Sequence, residues 1–226
     1  MLKFKFYSLV IISMFICSCR TNKEERTIKG SEYYPLKINS LKVFLVDSIY
    51  HNSFFGKSDT VSFEMRENIT DVLVDFASDT FYRIELSRYN QVKVRWEVFK
   101  VFTRKIKDNY AIENINNSDE IKLLFPISSY KTRGSSYSWN LNILNNKEPT
   151  LIKYKSVFSN FNNGITSFTD CVNTTLVNTE KGLVNNVREE VYAKNIGLIY
   201  RYIDSTDYLD ITKKRNGYEV LIRLKN

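Results

Sequence analysis

Apolar and polar positions alternate with a period of two along most of this chain. Leu41, Val43 and Leu45 alternate with Lys42 and lead to Asp47, and Val61, Phe63 and Met65 alternate with Ser62, Glu64 and Arg66. That is the pattern of strands with one face buried. Further runs of the same kind are DTFYRIELSRY, VRWEVFKVFTRKI, EIKLLFPI, SYSWNLNIL, TLIKYKSVF, EEVYAKN, IGLIYRYI and YEVLIRLKN. They are rich in the β-branched and aromatic side chains that suit a pleated surface. Turn signals separate them: Asn90-Gln91, Lys107-Asp108-Asn109, Asn145-Asn146-Lys147, Asn162-Asn163-Gly164 and Asn216-Gly217. The last is a hairpin dipeptide, because both residues accept φ > 0. The spacing predicts ten or so strands in a mostly β, single antiparallel meander with little helix. The one segment with helical spacing is EKGLVNNVREEVY, where Leu183, Val187 and Val191 fall four apart.

The first residues break this rhythm. Lys3 and Lys5 precede an apolar run from Phe6 to Ile16, too short to span a bilayer and suited to a secretory leader. It ends in Ile16-Cys17-Ser18-Cys19, which resembles the bacterial lipobox. The resemblance makes residues 1–18 a lipoprotein signal peptide and Cys19 the lipidated N-terminus of the mature chain. Two or three acyl chains such as palmitate hold firmly to a membrane, at about 0.8 kcal/mol per buried methylene. Residues 19–32, RTNKEERTIKGSE after the cysteine, are polar and read as a flexible tether,. Within them Lys23-Glu24-Glu25 resembles the signal that sends Bacteroidetes lipoproteins to the outer leaflet. Residues 33–226 then form one β-rich domain, with no linker and no internal repeat.

Export changes the meaning of the remaining composition. Of three cysteines only Cys171 is left in the domain, so no internal disulfide forms, and Cys171 reads as a small buried hydrophobe. The formal charge of +8 falls by two once Lys3 and Lys5 leave with the leader. Its cations are interspersed with carboxylates, which argues for a solvated sheet face and against a nucleic-acid partner.

Catalytic constellations are hard to assemble from these residues. His51 is the single histidine, in SIYHNSFFGK, which reads as a loop. No Gly-x-Ser-x-Gly elbow accompanies it, and one histidine with one free cysteine predicts no metal site. Asp71, Asp75 and Asp79 lack the calcium-loop pattern and read as solvent-facing,. Glu97 with Glu190 is one arbitrary carboxylate pair among many. Glu189 and Glu190 point to opposite faces of a strand. The expectation is a non-enzyme without a cofactor. The fifteen Tyr, fifteen Phe and two Trp make a β core first. On a concave face they also suit sugar rings or acyl chains, with Trp96, Trp139 and Tyr137 as candidate ligand-binding residues. Asp47-Ser48-Ile49, Asp59-Thr60-Val61 and Asp204-Ser205-Thr206 resemble the O-glycosylation motif of exported Bacteroidetes proteins.

Several patterns together resemble a family of uncharacterised Bacteroidetes outer-membrane lipoproteins. They are Tyr33-Tyr34-Pro35-Leu36, YRIELSRY followed by Trp96, KLLFPIS followed by Trp139-Asn140, and YAKNIGLIYR at 192–201. The last reads as two strands joined by the turn Ala193-Lys194-Asn195, with Gly197 where backbone passes close or bulges. The chain departs at NSLKVFL, where the family has glycine and tryptophan. More distantly the pattern is similar to lipoprotein-carrier proteins, which implies a curved sheet or half-barrel. The resemblance implies a lipid-anchored, non-catalytic envelope protein at the outer membrane that binds an apolar ligand, lipid or acyl chain. The alternatives are a protein or glycan interaction module, and, third, an enzyme.

Overall fold

A computed structural model of the chain describes residues 30–52, 57–128, 138–142, 150–177, 180–181, 184–210 and 213–225. Cys19, the Lys23-Glu24-Glu25 signal, the leader and Tyr137 lie outside the described residues. After a 3-10 turn, Ser31–Tyr33, every regular element among the described residues is a strand. In chain order they are β1 (Leu41–Asn52), β2 (Lys57–Val74), β3 (Thr80–Asn90), β4 (Arg95–Lys107), β5 (Tyr110–Ile115) and β6 (Ser118–Leu124). There follow β7 (Trp139–Asn140), β8 (Leu151–Asn162), β9 (Ser167–Leu176), β10 (Glu180–Lys181), β11 (Val184–Ala193), β12 (Gly197–Asp210) and β13 (Lys213–Leu224).

Each strand pairs antiparallel with its sequence neighbour, in the order β6-β5-β4-β3-β2-β1-β13-β12-β11-β9-β8-β7, while β10 pairs with β11. The first and last strands, β1 and β13, lie side by side. The two edges then meet: Glu120 of β6 bridges Asn142, and the Ile121 N–H donates to the Leu141 carbonyl at 2.8 Å. The meander is thus a nearly closed, barrel-like sheet, and closure removes the exposed edge on which strand addition would occur. The expected mostly β meander is present, and the curvature goes further than a half-barrel.

The packed chain begins earlier than the tether boundary read from the sequence. Gly30 is buried against Ile127 with φ 107, and Tyr33 and Tyr34 are inside the core. The Asn195 N–H donates to the Glu32 carbonyl at 2.7 Å, stitching this entry segment to the β11–β12 turn.

Four local readings are corrected. In β1 it is Phe44 and Val46 that are buried while Leu41 is exposed, the reverse of the phase expected from Leu41, Val43 and Leu45. The strand is apolar on both faces, and Lys42, which shares the phase of Phe44, is drawn inward towards Glu67. Asn216-Gly217 is not a hairpin turn: β13 runs through it, with Thr206 opposite Gly217. Gly217, at φ 122, is there for close approach, since a Cβ would lie 2.1 Å from the Ser205 carbonyl oxygen. The helical spacing of Val187 and Val191 carries no helix: the strand expected at the EEVYAKN end extends back to Val184. His51 lies in β1, not in a loop. The turn expected at Ala193-Lys194-Asn195 lies one residue later, at 194–196, with Ala193 still in β11; Gly197 has φ 86, and a bulge falls between Val191 and Tyr192.

Candidate binding groove and the charged interior

The buried face of the sheet carries charge where the alternation promised apolar side chains. Glu67 is in phase with Phe63, Met65 and Ile69, and Arg104 is in phase with Phe102. The Arg104 guanidinium makes a two-pronged contact with Glu67, at 2.8 and 2.7 Å, and its Nε donates to Glu113 at 2.9 Å. Lys122, 1% exposed, lies 3.4 Å from Glu113, 2.6 Å from Glu120 and 3.6 Å from Glu190. Arg188 bonds Glu120 at 3.0 Å and Glu190 at 2.9 Å, and the Tyr192 hydroxyl donates to Glu190. Arg201 and Lys42 stand at the margin, 2.9 Å from Glu190 and 3.9 Å from Glu67 respectively.

Burial alone would raise the carboxyl pKa values here, and the surrounding cations overturn that. Glu67 is held below its ordinary value chiefly by Arg104. Glu113 is held low by Lys122, Arg104 and Arg201, and Glu190 well below by Arg201, Lys122 and Arg188. These carboxylates are therefore ionised across the neutral range. An ionised, hydrogen-bonded network at the centre of the sheet is no place for an acyl chain, so the apolar cavity expected of the concave face is filled by charged side chains. The cause is that five cations and four carboxylates from seven strands converge here, each needing a partner once out of water.

An open groove of about 710 Å³ lies elsewhere, where β2, β3 and β4 run beyond the charged centre. Phe63 and Phe99 bring aromatic side chains to its lining, with Tyr89 at its edge, and Arg88, Asn90 and Glu97 give it polar groups. The Arg88 guanidinium stacks 4.2 Å from the centre of the Phe63 ring. Glu97 accepts from Lys93 at 2.9 Å, Asn90 at 2.8 Å and Arg95 at 3.0 Å, and these bonds hold its pKa at about 2. The groove thus offers a fixed anion and amide beside stacked rings. Phe99 is the extra residue of a bulge between the Leu86 and Ser87 pairings, which turns its ring into the opening.

The aromatic candidates separate. Trp96 is half-buried beside the groove: its partner across the strand pair is Tyr89, whose ring meets it edge-on at 5.6 Å. The Arg66 guanidinium covers it at 3.8 Å. Trp139 is a core residue, 7% exposed. Its indole N–H donates to the Ile121 carbonyl at 3.2 Å and its ring packs on Tyr154 at 5.0 Å. It closes the sheet instead of lining the groove. Glu97 and Glu190 are not brought together, one being in the groove and the other in the interior network. Glu189 bonds Lys155 at 3.0 Å on the opposite face. Asp75 accepts from the Ala77 and Asp79 N–H groups, shaping the β2–β3 turn. No cluster of metal-ligating side chains occurs among the described residues. His51 bonds Ser58 and Glu219, at 2.9 and 2.8 Å. Cys171 is buried, and burial with the nearby Asp170 pushes its thiol up to about 11. All three three-residue glycosylation-like motifs fall within strands, and Thr206 is buried.

The interior network and Phe99 were missed from the sequence. A usable signal existed for part of it, since Glu67 and Arg104 each replace an apolar residue in the buried phase of their strands.

No family model matches the chain, and no curated protein matches it. Among solved structures it is similar to a presumptive lipoprotein from Parabacteroides distasonis, 11% identical with a TM-score of 0.41, over 86% of this chain and 97% of that one. It is also similar to a presumptive exported protein with a YmcC-like fold from Bacteroides fragilis, 10% identical with a TM-score of 0.32, over 84% and 99% of the two chains.

Proposed function

We propose that this chain is a non-catalytic envelope lipoprotein, anchored at the outer membrane through lipid on Cys19, that presents its β2–β4 groove to an envelope glycan. The observation that carries the reading is the pairing of the aromatic residues Phe63 and Phe99 with Arg88, Asn90 and Glu97 in one open groove of about 710 Å³. A sugar ring has an apolar face and a hydroxylated rim, and needs both kinds of contact at once.

The placement agrees with an anchored binder. Ser31, close to the tether, and Thr80, at the start of β3, line one recess, whereas Asn90 at the end of β3 lines the groove. Along the strand that is a separation of about 33 Å, which supports a groove set apart from the start of the packed chain. A protein partner is the second reading, favoured by Val92 and Val94, exposed on the β3–β4 connection beside the groove.

Two experiments test the proposal. Palmitate labelling in the native host is expected in the wild-type chain and absent from Cys19→Ser. Calorimetric titration with envelope oligosaccharides is expected to show binding that Phe99→Ala weakens at least tenfold. Labelling that survives Cys19→Ser refutes the anchor, and saccharide affinity untouched by both Phe99→Ala and Glu97→Gln refutes the groove.

A further inference from the structure

A second, smaller cavity opens between the Pro35-Leu36 segment and the β11–β12 turn at Gly197-Leu198, over the charged interior. Lys42, Arg104 and Arg201 reach it, and Glu113, held by Arg104, is the one carboxylate on its wall. We infer that this cavity is a binding site for one halide-sized anion, held between the Lys42 ammonium and the Arg201 guanidinium.

Three observations carry the inference. The interior network has one positive charge in excess, with Lys42, Arg104, Lys122, Arg188 and Arg201 facing Glu67, Glu113, Glu120 and Glu190. A buried charge without a counterion is strongly unfavourable. The excess is also localised. Arg104 is spent on two carboxylates and Arg188 on two more. Lys42 Nζ is 3.9 Å from its nearest carboxylate oxygen, beyond hydrogen-bond reach. Arg201 Nε, though 2.9 Å from Glu190, has no aligned acceptor, and its Nη2 is 3.8 Å from Glu113. All four carboxylates meanwhile accept hydrogen bonds, so the donors facing the cavity outnumber the acceptors.

Size decides the ligand. The cavity leaves about 10 Å³ for the centre of a water-sized occupant, room for one such particle. Phosphate, sulfate and carboxylates are excluded, and a halide ion, little larger than water, is the anion that fits. Gly197 forms one wall: a Cβ there would lie 2.9 Å from Lys42 Nζ and 3.2 Å from Pro35. Burial lowers the Lys42 pKa, with Glu67 opposing and Arg104 reinforcing the effect, and a bound anion keeps the ammonium charged.

The test is thermal unfolding of the purified full chain in sodium chloride against sodium gluconate at equal ionic strength, with bromide soaks of crystals. Chloride at ten times its dissociation constant is expected to raise the melting temperature by about 3–6 °C. Lys42→Met is expected to abolish the rise, and an anomalous bromide peak is expected between Lys42 and Arg201. Equal melting in both salts, a full chloride effect in Lys42→Met, or bromide only at surface positions overturns the site. If Lys42→Met does not fold, the bromide position in the wild-type crystal decides. Saccharide binding in the groove does not enter these readouts, so the two proposals fail separately.

Discussion

Arg104 on β4 grips both carboxylate oxygens of Glu67 on β2, although β3 runs between their strands. Such a contact across an intervening strand draws the outer two inward, and the same guanidinium reaches Glu113 on β5. Strands β2, β4 and β5 are thereby tied through one side chain that spans β3.

Arg104→Leu leaves Glu67 and Glu113 buried with their main partner gone. It is expected to destabilise the fold by about 3–5 kcal/mol, read as a lowered urea midpoint. Replacing Arg104, Glu67 and Glu113 together with apolar residues of similar volume is expected to recover much of that loss, since the isolated charges and not the lost pair are what cost most.

The same network sets the acid limb of stability. Glu67, Glu113 and Glu190 have folded-state pKa values below their unfolded values of about 4.3,. Their stabilisation is therefore complete above about pH 5 and is lost as pH falls through the depressed folded values. Denaturant midpoints are expected to be flat from pH 7 to 5 and to fall steeply below about pH 4. A Glu113→Gln variant is expected to show a shallower acid slope.

How much of this was legible beforehand depended on which force acted locally. Period-two alternation marked nearly every long strand, because a half-buried strand must alternate. The YAKNIGLIYR turn was legible because Asn195 and Gly197 accept the positive φ they adopt, 61 and 86. Asn216-Gly217 misled because the same tolerance of positive φ serves a turn or a crowded strand, and only the register against Thr206 distinguishes them. The charged interior was hidden for a related reason: a lysine or glutamate within an alternating run reads as solvated unless its partners, distant in sequence, are known. Trp96 and Trp139 look alike in sequence, yet closure of the sheet buries one and leaves the other beside the groove.

Gly217 offers a test of that register. Gly217→Ala forces a Cβ to within 2.1 Å of the Ser205 carbonyl oxygen and to 2.7 Å from Thr206 Cα. The expected cost is about 1–3 kcal/mol. An equilibrium denaturation midpoint at the wild-type value would refute close β12–β13 contact there.

Trp139 tests closure. Trp139→Ala is expected to cost about 3–5 kcal/mol by cavity formation, and Trp139→Phe about 1 kcal/mol for the hydrogen bond to Ile121. Hydrogen exchange is expected to accelerate at the Ile121 amide, which bonds Leu141, before it does so in β1 and β13.

The most direct measurement is native mass spectrometry of the chain from Arg20 onward, produced in cells and then titrated with envelope oligosaccharides. A lipid-free mass that shifts on adding saccharide, and shifts less for Phe99→Ala, is the predicted result. Co-purified lipid at fixed one-to-one stoichiometry, with no saccharide adduct, would contradict a filled interior and a glycan-binding groove together.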